Sequence, residues 1–259
     1  MIFVPGSGDG PRTHFRHLAD WYAGKGFVVL TYDKRGSGDS SGSWISSSLE
    51  DLAADLAAGL ALLDARAEVD RNAIGVWAIS QGGWVLPVSA RMSDVPDWAI
   101  VVSGGGASPR ETELFAYRAS LSHGGIDEAG REAAVALVDA YLDYLGTGRD
   151  RDDVVAAIDA AKTKPWYRYV ALDRIMPSSE EGRSNWEWVA NFDAVAASSE
   201  ISFPVLAMIG GKDPNLPPDA ALAGWREAFA ASGVDGSKVV FFPEAGHGLG
   251  RGGHGAAMR

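Results

Sequence analysis

The sequence contains no cysteine. Disulfide bonds, thiolate metal ligands and a catalytic cysteine are therefore excluded, and a reducing compartment such as the cytoplasm is the simplest expectation. The sequence also has no apolar run close to the ~20 residues that a membrane-spanning helix needs, and its first residues lack the pattern of a secretory leader. We therefore expect a cytoplasmic protein.

The sequence also has fewer basic residues than acidic residues. The chain carries 23 lysine and arginine residues against 34 aspartate and glutamate residues, which gives a formal net charge of −11. An acidic surface repels the phosphates of nucleic acids and of anionic membranes. We therefore expect neither nucleic acid nor a membrane as a partner. The 259 residues suit one α/β domain with an insertion.

What the sequence does contain is a regular alternation of short apolar runs and amphipathic stretches. Runs such as residues 27–32 are β-branched and aromatic, as buried parallel strands usually are. The alternation predicts an α/β fold with a mostly parallel sheet and helices on both faces. The predicted strands cover residues 2–4, 27–32, 73–79, 98–102, 205–209 and 238–242, and the predicted helices cover residues 12–25, 49–63, 81–92 and 218–231.

The alternation breaks in the middle of the chain. Residues 107–199 are alanine-rich, aromatic and predominantly helical in pattern, with no strong strand signal. We interpret them as a helical cap inserted into a core that comprises residues 1–106 and 200–259. Large aromatic side chains often line apolar acyl pockets, so Trp84, Trp186 and Trp188 are candidate substrate-binding residues.

A serine stands where one predicted strand meets the next helix, in the string WAISQGG at residues 77–83. A nucleophile on such a sharp turn needs small residues two positions before and after it. Gly82 meets this need, and Ala78 meets it with alanine where glycine is usual. The pattern favours Ser80 as a nucleophile, although a serine here would also be suited to cap the helix.

An acid and a base follow the last two predicted strands. Asp213 comes after residues 205–209, and His247 comes after residues 238–242. The carboxyl ends of parallel strands gather at one edge of a sheet, where reaction sites of α/β folds lie. We predict that His247 takes the Ser80 proton and that Asp213 orients the imidazole. The alternatives are an exposed loop histidine and a turn aspartate before proline.

A second glycine-rich loop, PGSG at residues 5–8, follows the first predicted strand. Backbone N–H groups in such a loop are suited to stabilise a developing oxyanion, and two donors are usual. We assign them to the N–H groups of Ser7 and Gln81. The alternative is a plain turn.

Two other polar groups carry weaker signals. His14 and His17 lie three residues apart but have no third ligand in view, so no metal site is predicted. The charged residues that follow the run 27–32 are interpreted as a structural ion-pair and turn network. They are Asp33, Lys34, Arg35 and Asp39.

Five strings support a family resemblance: VPGSG at 4–8, YDKRGSG at 32–38, SQGG at 80–83, GKD at 211–213 and GH at 246–247. With these strings the chain resembles the α/β-hydrolase superfamily, in particular bacterial esterases and serine-aminopeptidase-like hydrolases with a helical cap. The resemblance implies hydrolysis through an acyl-enzyme, without a cofactor. It also implies a Ser–acid–His order along the chain, which is the order found here.

The sequence departs from the family in two places. Members usually have two further strands before the oxyanion loop and a helix after the histidine, whereas this chain starts almost at the loop and ends in a glycine-rich tail at residues 246–255. Without those strands, residues 27–32 become the edge of the sheet. An apolar edge offers unpaired backbone groups to a neighbour, so we predict that the protein forms a homodimer through this edge or aggregates when it is expressed alone. The alternative is that a loop, or residues absent from this chain, cover the edge.

Three functions remain open. The leading one is a carboxylesterase for small or medium acyl esters, and the second is a serine peptidase or amidase. A peptidase of the aminopeptidase type would need a carboxylate for the substrate ammonium, and nothing singles out one of Glu111, Glu113, Glu180 and Glu181. The third is a non-catalytic binding protein on a hydrolase scaffold.

Overall fold

Five parallel strands, adjacent in space in the order in which they follow each other in the chain, form the sheet. The computed structural model describes residues 1–250, so residues 251–259 of the predicted core and of its glycine-rich tail lie outside the described residues. The strands are β1 (Ile2–Val4), β2 (Gly75–Ile79), β3 (Trp98–Val102), β4 (Val205–Gly210) and β5 (Lys238–Phe242).

Helices connect most of the strands. They are α1 (Arg16–Ala23), α2 (Leu49–Asp64), α3 (Gly82–Ala90), α4 (Pro109–His123), α5 (Glu128–Thr147), α6 (Arg151–Ala161), α7 (Glu180–Ser184), α8 (Trp188–Asn191), α9 (Ala194–Ser199) and α10 (Pro218–Ser232). Helix α2 shows how local sequence sets a boundary. Ser48 accepts a hydrogen bond from the Asp51 N–H, and the Asp51 carboxylate accepts one from the Ser48 N–H, so two unpaired donors at the helix start are satisfied.

The sheet is covered on both faces, as predicted. Alternate strand residues such as Val76 and Val101 pack on one face against α2, α3 and α10, in a cluster that includes Leu56 and Trp225. Strand residues of the other parity, such as Trp77, pack on the opposite face against α1 and the turn before it. The prediction of an α/β fold with a parallel sheet is confirmed.

The predicted strand at residues 27–32 is wrong in length. Only Leu30 forms a bridge, to Ile2 of β1. The Met1 amino group donates to the Val28 carbonyl (2.7 Å), the Leu30 N–H to Met1 (2.9 Å) and the Phe3 N–H to Leu30 (3.0 Å). Strand β1 has only three residues, so it offers few backbone partners, and residues 31 and 32 form no bridge to it.

This segment nevertheless lies at the outer edge of the sheet, beside β1. The side chains of Phe27 and Val28 are 40% and 36% exposed there. Pairing with a second copy along this edge stays a prediction. Light scattering at several protein concentrations checks it, because Val28→Lys should return a dimer to a monomer, and a monomer at every concentration would contradict it.

A helical insertion, α4–α8 (residues 109–191), separates β3 from β4 in the chain. It has a hydrophobic cluster of its own, which includes Leu121, Val138 and Leu172. The next helix, α9, instead contributes Ala194 to the cluster beneath the sheet. The division into a core and a cap with boundaries at residues 107 and 199 stays a prediction.

Within residues 1–250, no helix combines the length and apolar character needed to cross a bilayer. The cytoplasmic location and the absence of nucleic-acid and membrane partners stay predictions from composition.

Candidate active site

Ser80 occupies a strained turn between β2 and α3. Its φ is +54°, a left-handed conformation that costs a residue with a Cβ about 1–2 kcal/mol. Hydrogen bonds hold the turn on both sides: the Ser80 N–H donates to Val102 (3.0 Å), and the Gly83 N–H donates to the Ser80 carbonyl (2.8 Å). Strained backbone that its surroundings enforce is typical of functional sites.

Glycines allow the turn to pack this tightly. A Cβ on Gly83 would lie 2.6 Å from the Gly104 carbonyl carbon, and a Cβ on Gly104 would lie 2.1 Å from the Ser80 carbonyl oxygen. A Cβ on Gly82 would lie 3.1 Å from the Cβ of Ala78, which explains why both positions flanking the serine carry small residues. Below the turn, Nε1 of Trp225 donates to the Gly104 carbonyl (3.0 Å).

The loops after β4 and β5 bring an aspartate and a histidine together. Nδ1 of His247 lies 2.8 Å from Oδ2 and 3.0 Å from Oδ1 of Asp213, whose side chain is fully buried. The carboxylate also accepts from the N–H groups of Asn215 (2.8 Å) and Leu216 (3.1 Å). A buried acceptor-only carboxylate requires Nδ1 to carry the proton. Nε2 of a neutral His247 then carries the free lone pair of the ring.

The same edge of the sheet carries Ser80, because β2, β4 and β5 run parallel and end on one side. Across residues 1–250, no hydrogen bond joins Ser80 to His247. Bonds between a nucleophile and its base are often long without substrate and tighten when substrate binds.

The loop after β1 passes directly over the serine. A Cβ on Gly6 would lie 3.0 Å from Cβ and 3.6 Å from Oγ of Ser80, so only glycine fits there without displacement. In the part of the chain that the structure describes, the N–H groups of Ser7 and Gln81 donate to no other protein group. Both predicted oxyanion donors are therefore available to a ligand.

Sequence reasoning missed one residue beside this loop. Lys34 is buried, and its Nζ donates to the Gly6 carbonyl (2.8 Å) and to Oε1 of Gln81 (2.7 Å). The predicted ion-pair network includes both Asp33 and Lys34, but of these two only Asp33 forms an ion pair among the residues that the structure describes. The Asp33 carboxylate accepts from the Arg12 backbone and guanidinium. One feature of the sequence points to Lys34: it follows an apolar run directly, and residues in that position lie at the carboxyl edge of a parallel sheet.

The three predicted substrate-binding tryptophans lie in one aromatic row. The ring centroids of Trp84 and Trp188 are 5.9 Å apart, and those of Trp188 and Trp186 are also 5.9 Å apart. Trp44 extends the row, 6.1 Å from Trp186. Trp84 is buried and donates Nε1 to the carbonyl of Ala107 (3.0 Å), which belongs to the core cluster, while its ring contacts Trp188 of the insertion. Contact of these rings with a substrate stays a prediction.

A sequence model of the "Alpha/beta hydrolase family" matches residues 1–254. No curated protein matches the sequence. Among solved structures, an esterase from Pyrococcus furiosus is 14% identical, with a TM-score of 0.61 over 95% of this chain and 72% of its own. A monoacylglycerol lipase from Paleococcus ferrophilus is 19% identical (TM-score 0.54; 95% and 84% covered), and a thermophilic esterase from Thermogutta terrifontis is 20% identical (TM-score 0.54; 95% and 81% covered).

Proposed function

The chain belongs to the alpha/beta hydrolase family, and from this premise we propose that it is a serine hydrolase that cleaves carboxylic esters of small or medium acyl chains. The observation that carries the proposal is the hydrogen-bonded pair of Asp213 and His247 at the same sheet edge as Ser80, whose backbone is strained. The chemistry such a set supports is acyl transfer.

In the proposed first step, Oγ of Ser80 attacks the carbonyl carbon of the ester while Nε2 of His247 takes the hydroxyl proton. The electron pair of the carbonyl bond moves to its oxygen, which accepts hydrogen bonds from the N–H groups of Ser7 and Gln81. Asp213 stays ionised and stabilises the imidazolium that forms. The alkoxy group then leaves with the proton from His247, and the acyl group remains on Ser80.

In the second step, water takes the place of the serine hydroxyl. His247 removes a proton from the water, whose oxygen attacks the acyl carbon. The bond from that carbon to Oγ of Ser80 then breaks, the His247 imidazolium returns the proton to Oγ, and a carboxylic acid is released. Both halves use the same base and the same two donors.

We further propose that the helical insertion acts as a cap that sets the range of acyl chains. The support is its position: Trp188 packs against both the sheet's cluster and the insertion's own cluster. Side chains of the insertion also donate to the loop at residues 45–46, through Nδ2 of Asn185 and Nε1 of Trp186. An apolar, aromatic boundary of this kind suits a substrate with a hydrocarbon chain.

The decisive experiment is labelling with a fluorophosphonate probe, followed by mass spectrometry of the modified peptide. Modification at Ser80 is expected, and an unlabelled native protein would favour a binding protein on a hydrolase scaffold. A panel of p-nitrophenyl esters and aminoacyl p-nitroanilides then separates the two enzyme alternatives. Faster turnover of the anilides would replace the esterase by a peptidase or amidase.

A further inference from the structure

The ammonium group of Lys34 is buried directly behind the loop that covers Ser80. The residue is 3% exposed, and its Nζ donates to the carbonyl oxygen of Gly6 and to the side-chain oxygen of Gln81. The indole ring of Trp44 covers the same group, with Nζ 4.9 Å from the ring centroid. An ammonium has three N–H donors, and the two oxygens accept from two of them.

The bond from Lys34 to Gly6 acts on the same peptide group that supplies the N–H of Ser7. This peptide is trans, so its C=O and its N–H point in opposite directions in one plane. A cation that holds the Gly6 oxygen on one side therefore fixes the direction of the Ser7 N–H on the other. It also polarises the peptide, which makes that N–H a stronger donor.

The second bond of Lys34 reaches the residue that supplies the other donor. Gln81 is 1% exposed and follows Ser80 directly, so its backbone moves with the nucleophile. Its Oε1 accepts from Lys34 over a distance of 2.7 Å. One buried group thus joins the loop after β1 to the start of α3, which are the two segments that carry the proposed donors.

The electrostatic setting fits this arrangement. Burial lowers the pKa of the Lys34 ammonium to about 7, and the carboxylate of Asp9 acts in the opposite sense. The two hydrogen bonds and the indole contact favour the charged form. In its protonated form, which prevails below that pKa, the Lys34 ammonium interacts with a negative tetrahedral intermediate under weak screening, because it lies far from water.

We propose that Lys34 is a positioning residue of the oxyanion hole: it ties the Gly6–Ser7 peptide to Gln81 and so fixes the spacing of the two N–H donors. It makes no contact with the substrate in this role. The inference rests on the proposed function, because an oxyanion hole acts only if Ser80 forms a tetrahedral adduct.

The first test is Lys34→Met, which keeps an unbranched side chain as far as Cε and removes the ammonium. Loss of one oxyanion donor lowers kcat by about 10²–10³-fold, so the loss of its support should lower kcat for p-nitrophenyl acetate by about 10–100-fold. KM should change little. The Kd of a trifluoromethyl ketone, which forms a tetrahedral adduct with the serine, should rise by a similar factor. A residue that only stabilises the fold would not shift tetrahedral affinity and KM apart.

The matched control is Lys25→Met. Lys25 also places an ammonium over an indole ring, 5.6 Å from the centroid of Trp21, but its side chain is exposed. The two variants therefore lose the same charge and the same kind of contact. Only Lys34→Met should lose catalysis and affinity for the ketone.

A second test restores the charge chemically. Because the chain has no cysteine, Lys34→Cys introduces a single thiol. Alkylation with 2-bromoethylamine in denaturant, followed by refolding, gives a side chain of nearly lysine shape with an ammonium. Alkylation with 1-bromopropane gives a neutral side chain of the same length. The aminoethyl form should recover most of the native kcat, and the propyl form should not.

The outcomes separate this inference from the proposed function. A native protein that the fluorophosphonate does not label at Ser80 overturns both. Two results overturn the role of Lys34 alone when the native protein is labelled normally. The first is a kcat of Lys34→Met equal to that of the native protein, and the second is a kcat of the propyl form equal to that of the aminoethyl form. Failure of every neutral form to fold would assign Lys34 to the scaffold and would also overturn it.

Discussion

The loops at the carboxyl edge of the sheet and the helical insertion hold their side chains by different means. At the sheet edge, backbone holds backbone: Gly83, Gly104 and Ser80 pack so closely that an added Cβ would meet main-chain atoms. In the insertion, aromatic rings such as Trp186 and Trp188 pack on one another at ring-centroid distances near 6 Å. The packing at the sheet edge fixes the positions of main-chain atoms, whereas the packing in the insertion fills space between helices with large side chains.

This difference predicts how each region tolerates change. At the sheet edge, a methyl group added to Gly83 or Gly104 would lie closer than van der Waals distance to main-chain atoms, so the chain would have to move. Contacts between large rings tolerate substitution by other apolar groups at a modest cost. We therefore expect chemistry to depend on the sheet edge and substrate preference to depend on the insertion.

The largest effect is expected from Ser80→Ala and His247→Ala. Either variant removes a member of the proposed triad, and kcat for p-nitrophenyl acetate should fall by about 10⁵–10⁶-fold. The thermal unfolding midpoint should change little, because neither side chain carries the packing of the core. Retention of more than about a tenth of the native rate would show that the reaction centre lies elsewhere.

Asp213→Asn tests the orientation of the base. The amide can still accept from Asn215 and Leu216, but it favours the wrong tautomer of His247, and kcat should fall by about 10⁴-fold. The double variant with His247→Ala should be no worse than His247→Ala alone, since members of a triad act as a unit. Native-like rates for Asp213→Asn would move the acid to another carboxylate.

Gly104→Ala at the sheet edge and Gly182→Ala in the insertion compare how an added methyl group changes the free energy of unfolding in the two regions. Its Cβ would lie 2.1 Å from the Ser80 carbonyl oxygen, so the free energy of unfolding should drop by about 1–3 kcal/mol. The matched change in the insertion is Gly182→Ala, in α7, where the nearest atom is Oγ of Ser179 at 3.3 Å. That variant should stay within about 1 kcal/mol of the native protein, because alanine favours a helix. Urea unfolding of both variants measures the contrast.

The smallest effect is expected from Trp186→Ala. The ratio of kcat/KM for an octanoyl ester to that for an acetyl ester should change by about tenfold, while the acetate rate stays near the native value. Trp21→Ala is the control, because this tryptophan is 58% exposed and lies in α1, away from the insertion. Equal changes for both acyl lengths would give Trp186 a purely structural role.

The sheet edge could be predicted from sequence because its constraints are local. Glycines beside Ser80, and an aspartate and a histidine that each follow an apolar run, identify turns and strand ends without any knowledge of distant contacts. The same holds for α2, whose start at Ser48 and Asp51 follows from capping chemistry. These elements agree with the structure to within a few residues.

Long-range contacts account for what the sequence could not predict. Residues 27–32 have a strand-like composition, but the extent of a strand depends on its partner, and β1 is short. Lys34 looks like any charged turn residue until the fold brings Gly6 and Gln81 to its ammonium. The row of tryptophans depends on how helices pack, which no periodicity specifies.

The position of the helical insertion has a consequence for how the chain folds. Ala99 of β3 pairs with Val205 of β4, so these two neighbouring strands are able to pair only after the whole insertion has been synthesised. Sheets built from such distant pairs form slowly, although each doubling of a flexible loop adds only about 0.6 kcal/mol to the cost of closing it. Because the insertion has its own hydrophobic cluster, it is able to collapse first and bring the two strands closer. Ser80 precedes the insertion in the chain and His247 follows it, so the proposed triad comes together only when the strands on either side of the insertion have paired.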